Sequence, residues 1–138
     1  MIEFDPTPRE GWICPIDNPL RDVDPEVIAA VADTQWDVAE FLSLPFVPRV
    51  NFFTQCAPDH PGAVGPVGEF WRGCVVASDP RNFYVRAGLS VHQAEQTTAH
   101  EIRHVWQQLN GYTSATHRRD ALELDAHRFA HDWMEGNR

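Results

Sequence analysis

The sequence predicts an α+β fold: one helix, then short strands, then two helices. Three observations carry this expectation. Residues 25–43, the stretch from Ser90 to Gly111, and residues 116–135 repeat apolar residues at helical spacing. Residues 46–87 are instead rich in β-branched and aromatic residues, broken by Pro and Gly. The capping and breaking residues Asp24, Pro25, Pro45, Ser90, Gly111 and Gly136 fall at the ends of the periodic stretches.

Taken in order, residues 1–24 hold Pro6, Pro8, Pro15 and Pro19 and are expected to form an irregular wrap. Asp24 is a good N-cap and Pro25 suits the first helical position, with Val27, Val31, Val38 and Phe41 on one stripe of a helix over about 25–43. "FVPRVNFFTQ" (46–55) and "EFWRGCVVA" (69–77) read as strands around a Pro- and Gly-dense loop at 56–68. "FYVRA" (83–87) alternates, with Phe83, Val85 and Ala87 on one face, so a half-buried third strand is expected. Short connections favour antiparallel neighbours, hence a small twisted sheet containing antiparallel pairs. Ser90 and Gln93 make a capping-box pattern for the second helix, which Gly111 ends. The third helix, 116–135, presents Leu122, Ala126, Phe129 and Trp133 to the core, with Gly136 beyond its end.

A chain of 138 residues suits one domain, 1–138, with a single core. No apolar run is long enough for a membrane span, and "MIEFDPTPRE" lacks a secretory pattern, so a soluble, cytoplasmic protein is expected. The formal charge of −9 disfavours binding to nucleic acid. Cys14, Cys56 and Cys74 form no C-x-x-C pair and are expected to be unpaired apolar residues, with only a remote prospect of Cys14 capping a metal.

The chemistry concentrates in "TTAHEIRHVWQQ" (97–108). His100 and His104 stand four apart and share a helix face, about 40° from each other, close enough to reach one ion. Val91, Ile102, Val105 and Leu109 lie on the opposite side, so the imidazoles turn away from the core. Glu101, on the flank, can reach a water held by that ion and take its proton. The bland alternative is two idle histidines on a solvated face. A catalytic zinc takes three protein ligands. The next helix offers "LELDAHRFA" (122–130), where Glu123 and Asp125 flank the core stripe; helix geometry lets either face the histidines, but not both.

"HEIRH" followed by "ELDAHRFA" resembles the gluzincin class of metallopeptidases, in which H-E-x-x-H on one helix pairs with a glutamate on the next. The chain is most similar to the minimal ImmA/IrrE-type group, whose second helix reads E-x-E-A-N-x-F-A. Glu123, Asp125, Ala126, Phe129 and Ala130 match that pattern, while His127 stands where Asn or Asp is usual. The likeness covers residues 83–133. It implies a minimal zincin-like domain binding Zn2+ through His100, His104 and Glu123, with Glu101 as general base and Asp125 as fallback ligand. "FYVRA" would be the edge strand that such enzymes use to hold extended peptide. A protein or peptide substrate, cleaved narrowly, in a phage or mobile-element setting, is the implied function.

An oxyanion donor is also needed. Tyr112, His117, Arg118 and His127 all lie within reach in sequence, with Tyr112 and His117 foremost because their loop should border the cleft. His127 and His131 form a second spaced pair, read as a polar face. Two other functions are open: a catalytically silent zinc module for protein assembly, and a protease on DNA-bound proteins of the SprT-like kind, which typically uses a third histidine.

Overall fold

The computed structural model describes residues 23–53, 72–75, 79–113 and 115–136. The N-terminal wrap, the loop at 56–68, Cys14 and Cys56 lie outside the described residues. Three helices and three strands follow in order: α1 (Pro25–Phe41), β1 (Arg49–Phe53), β2 (Gly73–Cys74), β3 (Asn82–Arg86), α2 (Val91–Leu109) and α3 (Arg119–Glu135). The mixture of helix and strand is the expected one, with α3 beginning three residues later than its apolar spacing suggests.

The helix ends follow from local chemistry. Asp24 accepts from the Glu26 amide at 2.9 Å and Pro25 opens α1. Ser90 and Gln93 cap each other's backbone at the start of α2, both at 3.1 Å, satisfying two amides that a helix start leaves without partners. Gly136 closes α3 in the left-handed conformation, φ 79°, that an L side chain adopts at a steric cost.

The sheet order is β1-β3-β2. β2 runs antiparallel to β3, with Gly73 opposite Val85. β1 runs parallel to β3, from Arg49 opposite Asn82 to Phe53 opposite Arg86, which corrects the expectation of antiparallel neighbours for that pair. Each link does reverse the chain, but residues 54–72 are numerous enough to carry β2 to the far side of β3. The parallel pair is pinned at its start by Asn51, whose Nδ2 donates to Asn82 Oδ1 at 3.1 Å and to the Phe83 carbonyl at 3.3 Å.

β3 is consequently the central strand, and two expectations change. It is not half-buried, because Asn82, Phe83, Tyr84 and Val85 are all buried. Nor is it an edge strand: among the described residues the edge beside α2 belongs to β2.

α2 is the hub, packed against α1, α3, β2 and β3. Its Ala94, Ala99 and Ile102 join Val31, Val38, Phe52, Phe83 and Val85 in the core. Burying a side chain such as Ile102 contributes about 1.5–3 kcal/mol. The α1 stripe holds at Val27, Val31 and Val38 but not at Phe41, which is half exposed at the helix end and lies edge-on to Trp133 at 5.5 Å. Leu109, at the other end of α2, is likewise exposed. No helix among the described residues is long and apolar enough to cross a membrane.

Candidate metal centre

The residues of α2 that face α3 form a stripe at His100, His104 and Gln107. The two histidine rings meet edge to face at 4.8 Å, and their Nε2 atoms approach to 3.2 Å. α3 brings Glu123 onto both: one carboxylate oxygen is 3.2 Å from His100 Nε2 and the other 3.0 Å from His104 Nε2. The histidine side chains are only 23% and 15% exposed. The face is therefore largely covered rather than solvated.

The spacing can be tested against a bound ion. Donors about 2.0–2.1 Å from a tetrahedral zinc stand about 3.3–3.4 Å from one another. The 3.2 Å between the two Nε2 atoms fits that spacing within a few tenths of an ångström, and the Glu123 carboxylate presents one oxygen to each nitrogen, at 3.2 and 3.0 Å. By their donor atoms His100, Glu101 and His104 also group as residues able to hold a metal. Glu101 is buried, with a carboxylate oxygen within 4.8 Å of the ligand atoms of both histidines, while Glu123 lines the cleft; two nitrogens and a carboxylate suit zinc.

Asp125 is engaged elsewhere. Its two oxygens accept from Arg103 Nε at 2.8 Å and Nη2 at 3.1 Å, and one of them also accepts from Gln107 Nε2 at 2.8 Å. The Arg103 guanidinium lies 4.0 Å from the centre of the Trp106 ring and 5.1 Å from that of Phe129, a cation–π seat between the two helices.

Burial and neighbouring charges oppose one another at these groups. Burial pushes the Glu101 carboxyl above its ordinary value, with His100 and His104 pulling it back and Glu123 pushing further. Burial works against charge on His104, but the Glu123 hydrogen bond and the charges of Glu101 and Glu123 prevail, and its pKa is pushed up to about 9. Glu123 shows the reverse: burial opposes its charge, but hydrogen bonds from His100 and His104 hold it well below the usual carboxylate range. The guanidinium of Arg103 and the amide of Gln107 hold Asp125 low, despite partial burial.

A cleft of about 730 Å³ opens beside the centre, lined by His100, Arg119, Asp120, Glu123, Leu124 and His127. His127 is exposed at its rim. Tyr112 and His117, expected to border the cleft, are placed on each other at 5.0 Å, with Tyr112 stacked on Trp106 at 5.6 Å. His117 also pairs with the Thr116 hydroxyl at 2.9 Å. Arg118 reaches Asp120 at 3.1 Å, and His131 sits loosely between Asp132 and Glu135 at 3.8 and 3.9 Å.

Sequence reasoning passed over Gln107, Arg103 and Gly73. Gln107 follows His104 by three residues on one helix face, a spacing that could have flagged it. Gly73 carries no such signal, since its importance lies in how closely β2 approaches Thr97 and Glu101. Compared with family models, curated proteins and solved structures, the chain matches none. The likeness to gluzincins rests on the motif residues alone.

Proposed function

We propose that the chain is a zinc-dependent peptidase, with His100, His104 and Glu123 as the protein ligands and Glu101 as general base. The observation that carries this is the convergence of His100 Nε2, His104 Nε2 and the Glu123 carboxylate within 3.0–3.2 Å, beside a cleft and a buried glutamate. When bound, zinc supplies a Lewis acid that polarises a carbonyl and brings the pKa of water toward neutrality.

The chain's own residues do the rest. Glu101 adjoins His100 in sequence and is 5% exposed, so its carboxyl is shielded from bulk water. Its raised pKa makes it a better proton acceptor than an exposed glutamate, and then a donor able to protonate the departing amine. Glu123, held anionic by the two imidazoles, adds negative charge that favours a bound dication. The cleft, lined among others by Arg119, Asp120, His127 and the exposed Leu124, offers polar groups and an apolar contact to a chain laid across it. A protein or peptide substrate fits such an open groove.

The variant Glu101→Gln tests the assignment, using a mixed peptide library with products read by mass spectrometry. Cleavage by the zinc-loaded wild type, lost by at least 100-fold in Glu101→Gln with zinc content unchanged, is the expected result. Equal cleavage by both proteins removes Glu101 from the mechanism. Zinc uptake without cleavage by the wild type would favour the silent zinc module instead.

A further inference from the structure

We infer that Gln107 is a positioning residue, which fixes the tautomer and ring orientation of His104 for metal binding. The inference rests on the zinc reading above. It begins with a buried amide: Gln107 is 2% exposed, and both ends of its side chain are in use. Nε2 donates to the Leu122 carbonyl at 2.9 Å and to Asp125 Oδ2 at 2.8 Å. Two acceptors at one end of an amide require the nitrogen there, because the oxygen has no hydrogen to give. The oxygen Oε1 therefore faces the other way, where it lies 2.8 Å from His104 Nδ1.

A carbonyl oxygen can only accept, so His104 Nδ1 carries the hydrogen. A neutral imidazole protonated at Nδ1 presents its lone pair at Nε2. That is the atom that meets His100 Nε2 at 3.2 Å and the Glu123 carboxylate at 3.0 Å. Gln107 thus selects the metal-competent tautomer and also restrains rotation of the ring.

The amide is itself held. Asp125 accepts from it and is clamped by both Arg103 nitrogens, and Arg103 is seated on Trp106 and Phe129. A continuous chain of contacts runs from packed aromatic rings through Arg103, Asp125 and Gln107 to the ligand. The arrangement also gives Asp125 a role, that of holding the glutamine. Partners of this kind commonly change metal affinity by about 10–100-fold.

The test is a competitive Zn2+ titration against a chelating dye, with the visible absorption spectrum of the Co2+ form as a second readout. Wild type is compared with Gln107→Leu, Asp125→Ala and His100→Ala, each checked for folding by circular dichroism. Gln107→Leu is expected to raise the zinc Kd about 10-fold or more and to alter the Co2+ bands, Asp125→Ala to raise it several-fold, and His100→Ala to lose most binding. A folded Gln107→Leu with the wild-type Kd and Co2+ spectrum, while His100→Ala loses zinc, overturns the inference and leaves the zinc reading standing. If Gln107→Leu does not fold, Asp125→Ala decides: a wild-type Kd there overturns the inference equally. A wild type that takes up neither Zn2+ nor Co2+ overturns both.

Discussion

At Gly73, β2 runs close to Glu101. A methyl group added there meets the Tyr84 carbonyl oxygen at 2.5 Å, Thr97 Cγ2 at 2.7 Å and Glu101 Cγ at 3.1 Å, all inside the ordinary contact range that begins at 3.4 Å. The Tyr84 oxygen is backbone of the central strand, and Thr97 is fixed on the buried face of α2. Neither can swing aside, so in Gly73→Ala β2 must move by several tenths of an ångström, and Glu101 must give as well. Overpacking of this kind costs about 1–3 kcal/mol. Alanine's lower entropy in the unfolded chain offsets about 0.4–1 kcal/mol of that. A net loss of about 1–2 kcal/mol follows, which lowers a urea midpoint by roughly 0.5–1 M. Tryptophan fluorescence in a urea series reads it directly. Adding Thr97→Ser removes the methyl contact but not the backbone one, so it should restore less than half of the loss. A Gly73→Ala protein as stable as wild type, or more so, would refute the close approach of β2 to Thr97 and Glu101.

The remaining expectations concern charge. In the presence of a chelator, the His104–Glu123 pair should make stability depend on pH. The pKa of His104 rises from 6.5 unfolded to about 9 folded, so its contribution is complete below pH 6.5 and lost as pH rises through about 9. Glu123 is lowered from 4.5, so its contribution is present above pH 4.5 and lost on acidification. Glu101, raised by burial from 4.5, lowers stability in the same direction as His104, beginning as pH rises above 4.5. Urea midpoints between pH 4 and 10 should therefore peak between these ordinary values and decline toward pH 9, and His104→Gln should flatten the alkaline limb; an unchanged limb in that variant refutes the assignment. Arg103→Ala removes the Asp125 pair and the Trp106 stacking together, and should cost about 1–3 kcal/mol by the same assay. Arg103→Lys should recover only part of this, since an ammonium cannot make both Asp125 contacts in that fork geometry; full recovery would show that charge alone matters.

How much of this was readable in advance depends on how local each feature is. The caps at Asp24 and Ser90 and the stop at Gly136 act through neighbours within a few residues, and their sequence signals translate directly into hydrogen bonds and backbone angles. The meeting of His100 and His104 is equally local, one helical turn. Strand order is not. Alternation in "FYVRA" says which residues share a face, but not which strands lie beside it, and β3 lies between β1 and β2. The choice between Glu123 and Asp125 is likewise non-local. They lie about 160° apart around α3, and the docking of α3 on α2 sets Glu123 against the two Nε2 atoms and gives Asp125 to Arg103 and Gln107. A cation at position 103 and an amide at 107 were visible in the chain; that both would converge on one aspartate required the helix pair.

The central claim is a metal held by three protein side chains, and its most direct measure is zinc content. Wild-type protein, freshly purified and after incubation with Zn2+ and desalting, is compared with Glu123→Ala by elemental mass spectrometry. About one zinc per chain in the wild type, falling sharply in the variant, is the predicted result. No zinc in either protein, even after incubation, would contradict the metal centre. Equal zinc in both would contradict Glu123 as its third ligand.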